Sequence, residues 1–456
     1  MTFPTHIFKA YDIRGLVVGE LSASLAYGIG RAFAETIREK GISVDGRSLV
    51  VGYDMRDTSL TYQASVIEGI TDAGINVVDI GLASTPVFNF SCAHFPEYAG
   101  GIMVTASHNP AEYNGFKMTL ENGLPIGKNN GMDDIRAKVE AGVWKPSERK
   151  GSVSTRDTMP DYMGRLYELV NKDTIKPLKA VIDFGNGMGG AIMPAVIAGL
   201  PLQTTFLFQE PDGTFPNHEA NPLKSETLKD LQAKVKELGA DFGFATDGDA
   251  DRIGLVDENG EIVDPSFVGT LLGLEVLKLH PGGHMLYDLR SSEIIKETWE
   301  SHGATTEMCS VGHALIKKTM KEKKAIFASE LSLHLYYHDL YDIESSDLSF
   351  LYIVRLLSES GKKLSELTSP LKKYFHSGEI NFEVHDKDGA IARIQEAYKD
   401  EIKEVSTIDG IWMKCDWGWI NLRKSNTEPV LRLNLEAKTK EVMEREVEKI
   451  KGLIGE

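Results

Sequence analysis

Thr105-Ala106-Ser107-His108-Asn109-Pro110 follows directly on Gly101-Ile102-Met103-Val104, and this junction decides how the chain is read. The apolar run has the length and composition of a short buried strand. Pro110 removes a backbone donor and restricts the residue before it, so regular structure stops here. A serine hydroxyl is thereby set on a loop at the end of a rigid strand, where function concentrates. Alone, the segment also fits a polar turn.

On either side, strand and helix patterns alternate. Helical periodicity covers 21–41 and 60–74, and strands are expected at 48–51 and 76–80. The polar stretch 144–157, with Pro146 and Gly151, reads as a linker. A second cycle opens with a strand at 178–184 and runs to a hairpin near 257–263, where Asn259-Gly260 is a two-residue turn signal. A third has helices at 267–279, 293–302 and 313–323 between strands at 284–289, 306–311 and 325–328. After about 375 the strands (379–384, 410–415, 417–422, 430–435) look antiparallel, with amphipathic helices at 389–398 and 438–454. Such alternation implies helix-flanked, parallel-rich sheets. The expected fold is α/β: three similar α/β domains (1–150, 151–257, 258–372) with mixed, mainly parallel sheets, plus a C-terminal α+β domain (373–456).

A chain of 456 residues exceeds what one core serves, and 42% hydrophobic with 26% charged residues is ordinary for a globular protein. The formal net charge of -17 argues against general affinity for nucleic acid or an anionic membrane, though not against a small anionic substrate in a basic cleft. Cys92, Cys309 and Cys415 are far apart and form no metal-ligand pair, which fits a reducing compartment. With no signal-like N-terminus and no apolar run long enough to span a bilayer, a cytoplasmic protein is expected.

Three further loops carry chemistry. Asp247-Gly248-Asp249-Ala250-Asp251-Arg252 follows an apolar strand at 240–245; in an extended loop, residues two apart share a side, so three carboxylates converge. Three hard oxygen ligands suit Mg²⁺. A calcium loop fails because Arg252 occupies the turn position that needs glycine, and a solvated acidic turn remains the alternative. Glu330-Leu331-Ser332-Leu333-His334 offers a carboxylate, a hydroxyl and an imidazole, suited to sugar hydroxyls and proton transfer. Arg423-Lys424-Ser425-Asn426-Thr427, with Arg432 beyond, offers a guanidinium and hydroxyls to one phosphate. A polar strand end and an ordinary hairpin are the plain readings of these two loops. A rival function comes from Gly185-Asn186-Gly187-Met188-Gly189-Gly190, which matches G-x-G-x-x-G between a strand and a helix, with Glu210 beyond. That is a dinucleotide fingerprint and would make the chain an NAD(P)-dependent oxidoreductase; tight helix–strand packing is its structural alternative.

Taken together, the four loops resemble the α-D-phosphohexomutase family, specifically its phosphomannomutase/phosphoglucomutase members. Smaller matches extend the resemblance over nearly the whole chain: Tyr11-Asp12-Ile13-Arg14-Gly15, Tyr113-Asn114-Gly115-Phe116-Lys117 and Val311-Gly312-His313. The resemblance implies one loop per domain around a central cleft. It implies phospho-Ser107 as phosphoryl carrier, with Asp247, Asp249, Asp251 and Ser107 itself around Mg²⁺. Hexose 6-phosphate and hexose 1-phosphate, of mannose and glucose, would interconvert through a 1,6-bisphosphate, which also serves as activator. Arg423, Ser425, Asn426, Thr427 and Arg432 would hold the distant phosphate, and Tyr11, His313, Glu330 and Ser332 the rest of the sugar phosphate. Lys117 and His334 rank first for proton transfer, ahead of His108, with Arg14 and Arg252 stabilising charge. The implied partner is a small phosphosugar, and the protein a monomer or small homo-oligomer.

One loop departs from the family pattern. Glycine usually precedes the glutamate and glycine or alanine stands before the histidine, where this chain has Ser329 and Leu333. A leucine reaches glycine's backbone angles with difficulty and adds bulk near the sugar, which bears on which hexose is preferred. Phe116 leans toward a mannose/glucose enzyme; phosphoglucosamine mutase is the alternative.

Overall fold

A computed structural model describes residues 3–424 and 430–455. Four sheets follow one another along the chain. The first has six strands, with Ser48–Tyr53, Asn76–Leu82 and Tyr98–Val104 parallel and Tyr113–Leu120 returning antiparallel beside the last of these. The second pairs Leu178–Asp183 in parallel with Leu202–Leu207 and Phe242–Thr246, and Ile253–Asp257 returns antiparallel. The third sets His284–Asp288 between the parallel strands Thr305–Cys309 and Phe327–Ser329, then adds two antiparallel strands. The fourth is wholly antiparallel. Three mixed α/β sheets and one α+β unit are as the sequence implied.

The linker reading of 144–157 needs correction. Val153–Thr155 pairs in parallel with Val77–Asp79 and becomes an edge strand of the first sheet. All three of its residues are exposed, so it carries no buried face that periodicity could register.

Packing is uneven along the chain. One continuous apolar cluster runs from Val50 and Phe88 through Phe184 and Phe244 to Phe327 and Leu351, joining the first three sheets. The fourth sheet has its own core around Ile394, Leu433 and Ile450. It meets the third through a small apolar patch, Leu289 against Trp412 and Trp419.

The loops singled out in the first three sheets share one location. Each lies where a strand ends and the chain doubles back antiparallel: Val104 pairs with Phe116, Thr246 with Ile253, and Ser329 with Leu335. Sites at the carboxyl ends of sheet strands are common in open α/β folds.

Candidate active site

Ser107 is 1% exposed and takes a left-handed backbone, φ 53°. Such a conformation costs a non-glycine residue about 1–2 kcal/mol, so its surroundings must enforce it. Arg56 does so: Nη2 donates to the carbonyls of Ser107 (2.9 Å) and Asn109 (2.6 Å), and Nη1 to those of Pro110 (2.8 Å) and Tyr113 (2.9 Å). Arg14 adds a bond to Asn109 Oδ1 (2.6 Å) while paired with Asp12. The Ser107 hydroxyl then lies 3.1 Å from both Asp247 Oδ2 and His108 Nδ1. Burial, with Arg252 and Arg14 nearby, pushes the His108 imidazole well below its usual value, so it is neutral.

Asp247, Asp249 and Asp251 do converge, each offering an oxygen within 4.8 Å of the others. The cause is not an extended loop. Ala250 is left-handed (φ 61°), and Asp247 Oδ1 accepts the N–H groups of Asp251 and Arg252 at 3.1 Å each, closing a tight turn. Thr85 donates to Asp249 Oδ2 (2.5 Å), and Lys117 Nζ reaches Asp249 and Asp251 at 2.6 Å each. Burial alone would lower the Lys117 pKa, but the two aspartates outweigh it and fix a charged ammonium. Burial and its two neighbours push Asp247 well up, whereas Lys117 and His334 outweigh burial at Asp251 and hold it down. Asp249 Oδ1 and Asp251 Oδ1 are buried without a hydrogen-bond partner among the described residues. Three buried carboxylates, two of them with an oxygen that accepts no hydrogen bond, fit a hard divalent cation.

The sugar-loop residues are also brought together. Glu330 Oε2 accepts from Tyr336 (2.8 Å) and lies 3.1 Å from His334 Nδ1; Oε1 is 3.2 Å from Gly312 N and 3.5 Å from Arg290. Ser332 Oγ is 2.9 Å from His334 Nδ1. His334 Nε2 faces Asp251 Oδ1 at 3.3 Å and Arg252 Nε at 3.2 Å. One nitrogen cannot accept from Arg252 and donate to Asp251 at once. Burial and Arg252 pull the His334 pKa down, but Asp251 and Glu330 outweigh them and raise it to about 9, favouring the charged form. Leu333 is left-handed (φ 66°) and 4% exposed, and its carbonyl accepts the Ile253 N–H at 3.3 Å, stitching this loop to the aspartate loop.

Tyr11 packs edge-on against His313, ring centroids 5.5 Å apart. Burial, Lys317 and Lys117 keep His313 neutral. Arg423 pairs with Glu379 (3.3 Å) and Asp409 (3.5 Å), and Arg432 with Glu379 (3.4 Å). Ser425, Asn426 and Thr427 lie outside the described residues.

The sequence reading overlooked Arg56 and Arg290. Both stand just past a parallel strand, at Asp54-x-Arg56 and Asp288-x-Arg290. A charged residue at a strand's carboxyl end was the available signal. The glycine-rich segment, conversely, has no room for a dinucleotide. A Cβ at Gly187 would meet the Asp247 carbonyl at 3.0 Å, one at Gly190 the Gln209 carbonyl at 1.9 Å, and Met188 N donates to the Gly248 carbonyl (2.8 Å). The chain's own backbone occupies the space, and the segment buttresses the aspartate loop.

Comparison with known proteins agrees with this geometry. Four family models match in order: phosphoglucomutase/phosphomannomutase alpha/beta/alpha domain I over 5–145, domain II over 160–260, domain III over 264–374, and the C-terminal domain over 379–453. "Phosphohexose mutases" of Xanthomonas campestris pv. campestris (strain B100) is 39% identical over 441 residues, 96% of each chain. The phosphomannomutase of Salmonella montevideo is 37% identical over 458 residues, 96% of this chain and 98% of that one. The crystal structure of a phosphoglucomutase/phosphomannomutase family protein from Burkholderia thailandensis superposes with a TM-score of 0.90 at 31% identity, covering 98% of this chain and 97% of that one.

Proposed function

Because this chain belongs to the phosphoglucomutase/phosphomannomutase family and is an intramolecular phosphotransferase, we propose that it interconverts the 6- and 1-phosphates of mannose, and of glucose, through phospho-Ser107 and a hexose 1,6-bisphosphate. The observation that carries this reading is the Ser107 hydroxyl held 3.1 Å from Asp247, inside a ring of three buried aspartates. Asp247, Asp249 and Asp251 would hold Mg²⁺, which when bound would neutralise phosphoryl oxygens.

The chain's own groups supply the rest. A sugar hydroxyl attacks the phosphorus and loses its proton as the bond to Ser107 Oγ breaks. With a cation held at Asp251, the charge that keeps His334 protonated would be offset, so the neutral imidazole would take that proton while Lys117 holds positive charge against the transferring group. His334 then returns the proton to Oγ, and neutral His108, 3.1 Å away, can accept the hydrogen bond of the restored hydroxyl. The bisphosphate then turns in the cleft, and its other phosphate returns to Oγ. Arg423 and Arg432, with Ser425, Asn426 and Thr427, grip whichever phosphate is remote. Hexose 1,6-bisphosphate primes the serine.

The test is phosphopeptide mapping of the protein after incubation with glucose 1,6-bisphosphate and Mg²⁺, beside turnover of mannose, glucose and glucosamine 1-phosphates. Phosphate on Ser107 with turnover of mannose and glucose substrates is the expected result. Full turnover by Ser107→Ala would end the proposal, and preference for glucosamine 1-phosphate would move it to that sugar.

A further inference from the structure

Three arginines from two sheets aim at one carboxylate of the chain itself. Glu379 Oε2 lies 3.3 Å from Arg423 Nη2 and 3.8 Å from Arg290 Nη1, and Oε1 lies 3.4 Å from Arg432 Nη1. All three distances exceed the roughly 2.7–2.9 Å of a well-formed charge-assisted bond. Arg423 is loosely bonded elsewhere too: Nη1 is 3.5 Å from Asp409 Oδ2, and its buried Nε has no hydrogen-bond partner among the described residues. Asp409 cannot swing closer without loss, because its Oδ2 also accepts the N–H of Val311, just past the third-sheet strand Thr305–Cys309 (3.2 Å). The Glu379 side chain is 26% exposed and so has water to move into.

We propose that Glu379 is a built-in placeholder for the substrate's remote phosphate, displaced from the arginines when substrate binds and returning when it leaves. This rests on the reading of the last loop as the remote-phosphate site. A carboxylate offers two oxygens to three guanidinium groups; a phosphate offers three, with more charge, and can pair bidentately with an arginine. Glu379 keeps the arginines aimed before binding, which favours recognition, and competes with the phosphate, which lowers affinity. Weaker hold suits a reaction whose bisphosphate must let go of this site in order to turn around.

Inorganic phosphate is the probe, titrated calorimetrically into the full-length protein and its Glu379→Gln, Glu379→Asp and Arg423→Ala variants, alongside KM and kcat for mannose 1-phosphate. Removing one competing charge from a partly exposed cluster should tighten phosphate about fivefold in Glu379→Gln and lower KM in step, with kcat no higher than in the parent. Glu379→Asp, which keeps the charge, should stay near the parent. Unchanged or weaker phosphate binding in Glu379→Gln, while Arg423→Ala still removes it, would make Glu379 a mere strut and overturn the inference. Phosphate binding that survives Arg423→Ala unaltered would instead bring down the phosphate-site reading, and the inference with it.

Discussion

Gly248 lies against the carbonyl oxygen of Ser107, so closely that a Cβ at 248 would stand 2.4 Å from it. Both partners are backbone, and the Ser107 carbonyl is also held by Arg56 at 2.9 Å, so neither can yield cheaply. Gly248→Ala must push the aspartate loop off the serine and lengthen the 3.1 Å approach of Asp247 to Oγ. A displacement near 1 Å can cost about 10²-fold in rate, so kcat should fall by about that factor while the fold persists. Steady-state kinetics beside a thermal melt check this, and a parental kcat would refute it.

Arg56 spans four carbonyls with two nitrogens, which a lysine cannot reproduce. Arg56→Lys should therefore lower kcat more than it changes KM, because Ser107, the proposed phosphoryl carrier, loses its enforced backbone while the loop from Glu330 to His334 is untouched. Unpaired buried carbonyls should also cost on the order of 2–4 kcal/mol of stability. Denaturant unfolding measures the second effect, and unaltered values of both would contradict the role.

How much of this was legible depended on range. Strand and helix periods are local, so the helix expected at 313–323 is observed as His313–Lys323. The convergence of the aspartates was legible but its cause was not, because the left-handed turn at Ala250 leaves no mark in alternating carboxylates. Glu379 and Asp409 escaped notice because they meet the third domain through contacts remote in sequence, Arg290 Nη1 at 3.8 Å and the Val311 N–H at 3.2 Å, and single-sequence spacing carries nothing about approach between domains. The dinucleotide fingerprint misled for a related reason: glycine spacing states that something comes close, and here it is the chain's own Gln209 and Asp247 carbonyls.

Leu333 pits backbone against side chain. Its φ of 66° favours glycine, yet its side chain is 4% exposed and contributes burial. Leu333→Ala should destabilise by about 2–4 kcal/mol, losing the side chain and keeping the strained backbone. Leu333→Gly should be about 1 kcal/mol more stable than the alanine variant, reversing the order seen at ordinary positions. Urea titrations of both variants decide it; alanine above glycine would mean the backbone is unstrained.

Removal of divalent metal should abolish turnover, with Mg²⁺ restoring it, because Asp247, Asp249 and Asp251 are buried together and Asp249 Oδ1 accepts no hydrogen bond from the described residues. Asp249→Asn should raise the Mg²⁺ concentration needed for half-maximal activity by about tenfold or more. Undiminished turnover in chelator would contradict the metal's role.

Docking of the last sheet should respond to pH through Glu436. This residue is 1% exposed, and its Oε1 accepts the Glu293 N–H (3.0 Å) at the start of helix Glu293–Ser301 and the Trp419 indole N–H (3.1 Å). Burial, with the Glu293 charge beside it, outweighs those bonds and raises its pKa to about 7. Glu293 is itself paired with Lys414 (3.0 Å), and burial keeps nearby His376 down, so Glu436 is the group that titrates upward here. Between the ordinary glutamate value near 4.5 and about 7 the folded protein holds a proton that the unfolded chain has released. Stability is therefore fullest below that window, falls as pH rises through it and levels off above. Glu436→Gln keeps the acceptor oxygen and removes the titration, so it should match the parent near pH 5 and exceed it at about pH 8 by up to roughly 3 kcal/mol. Unfolding curves for the two proteins across that range measure the difference, and a constant gap would show that Glu436 does not titrate there.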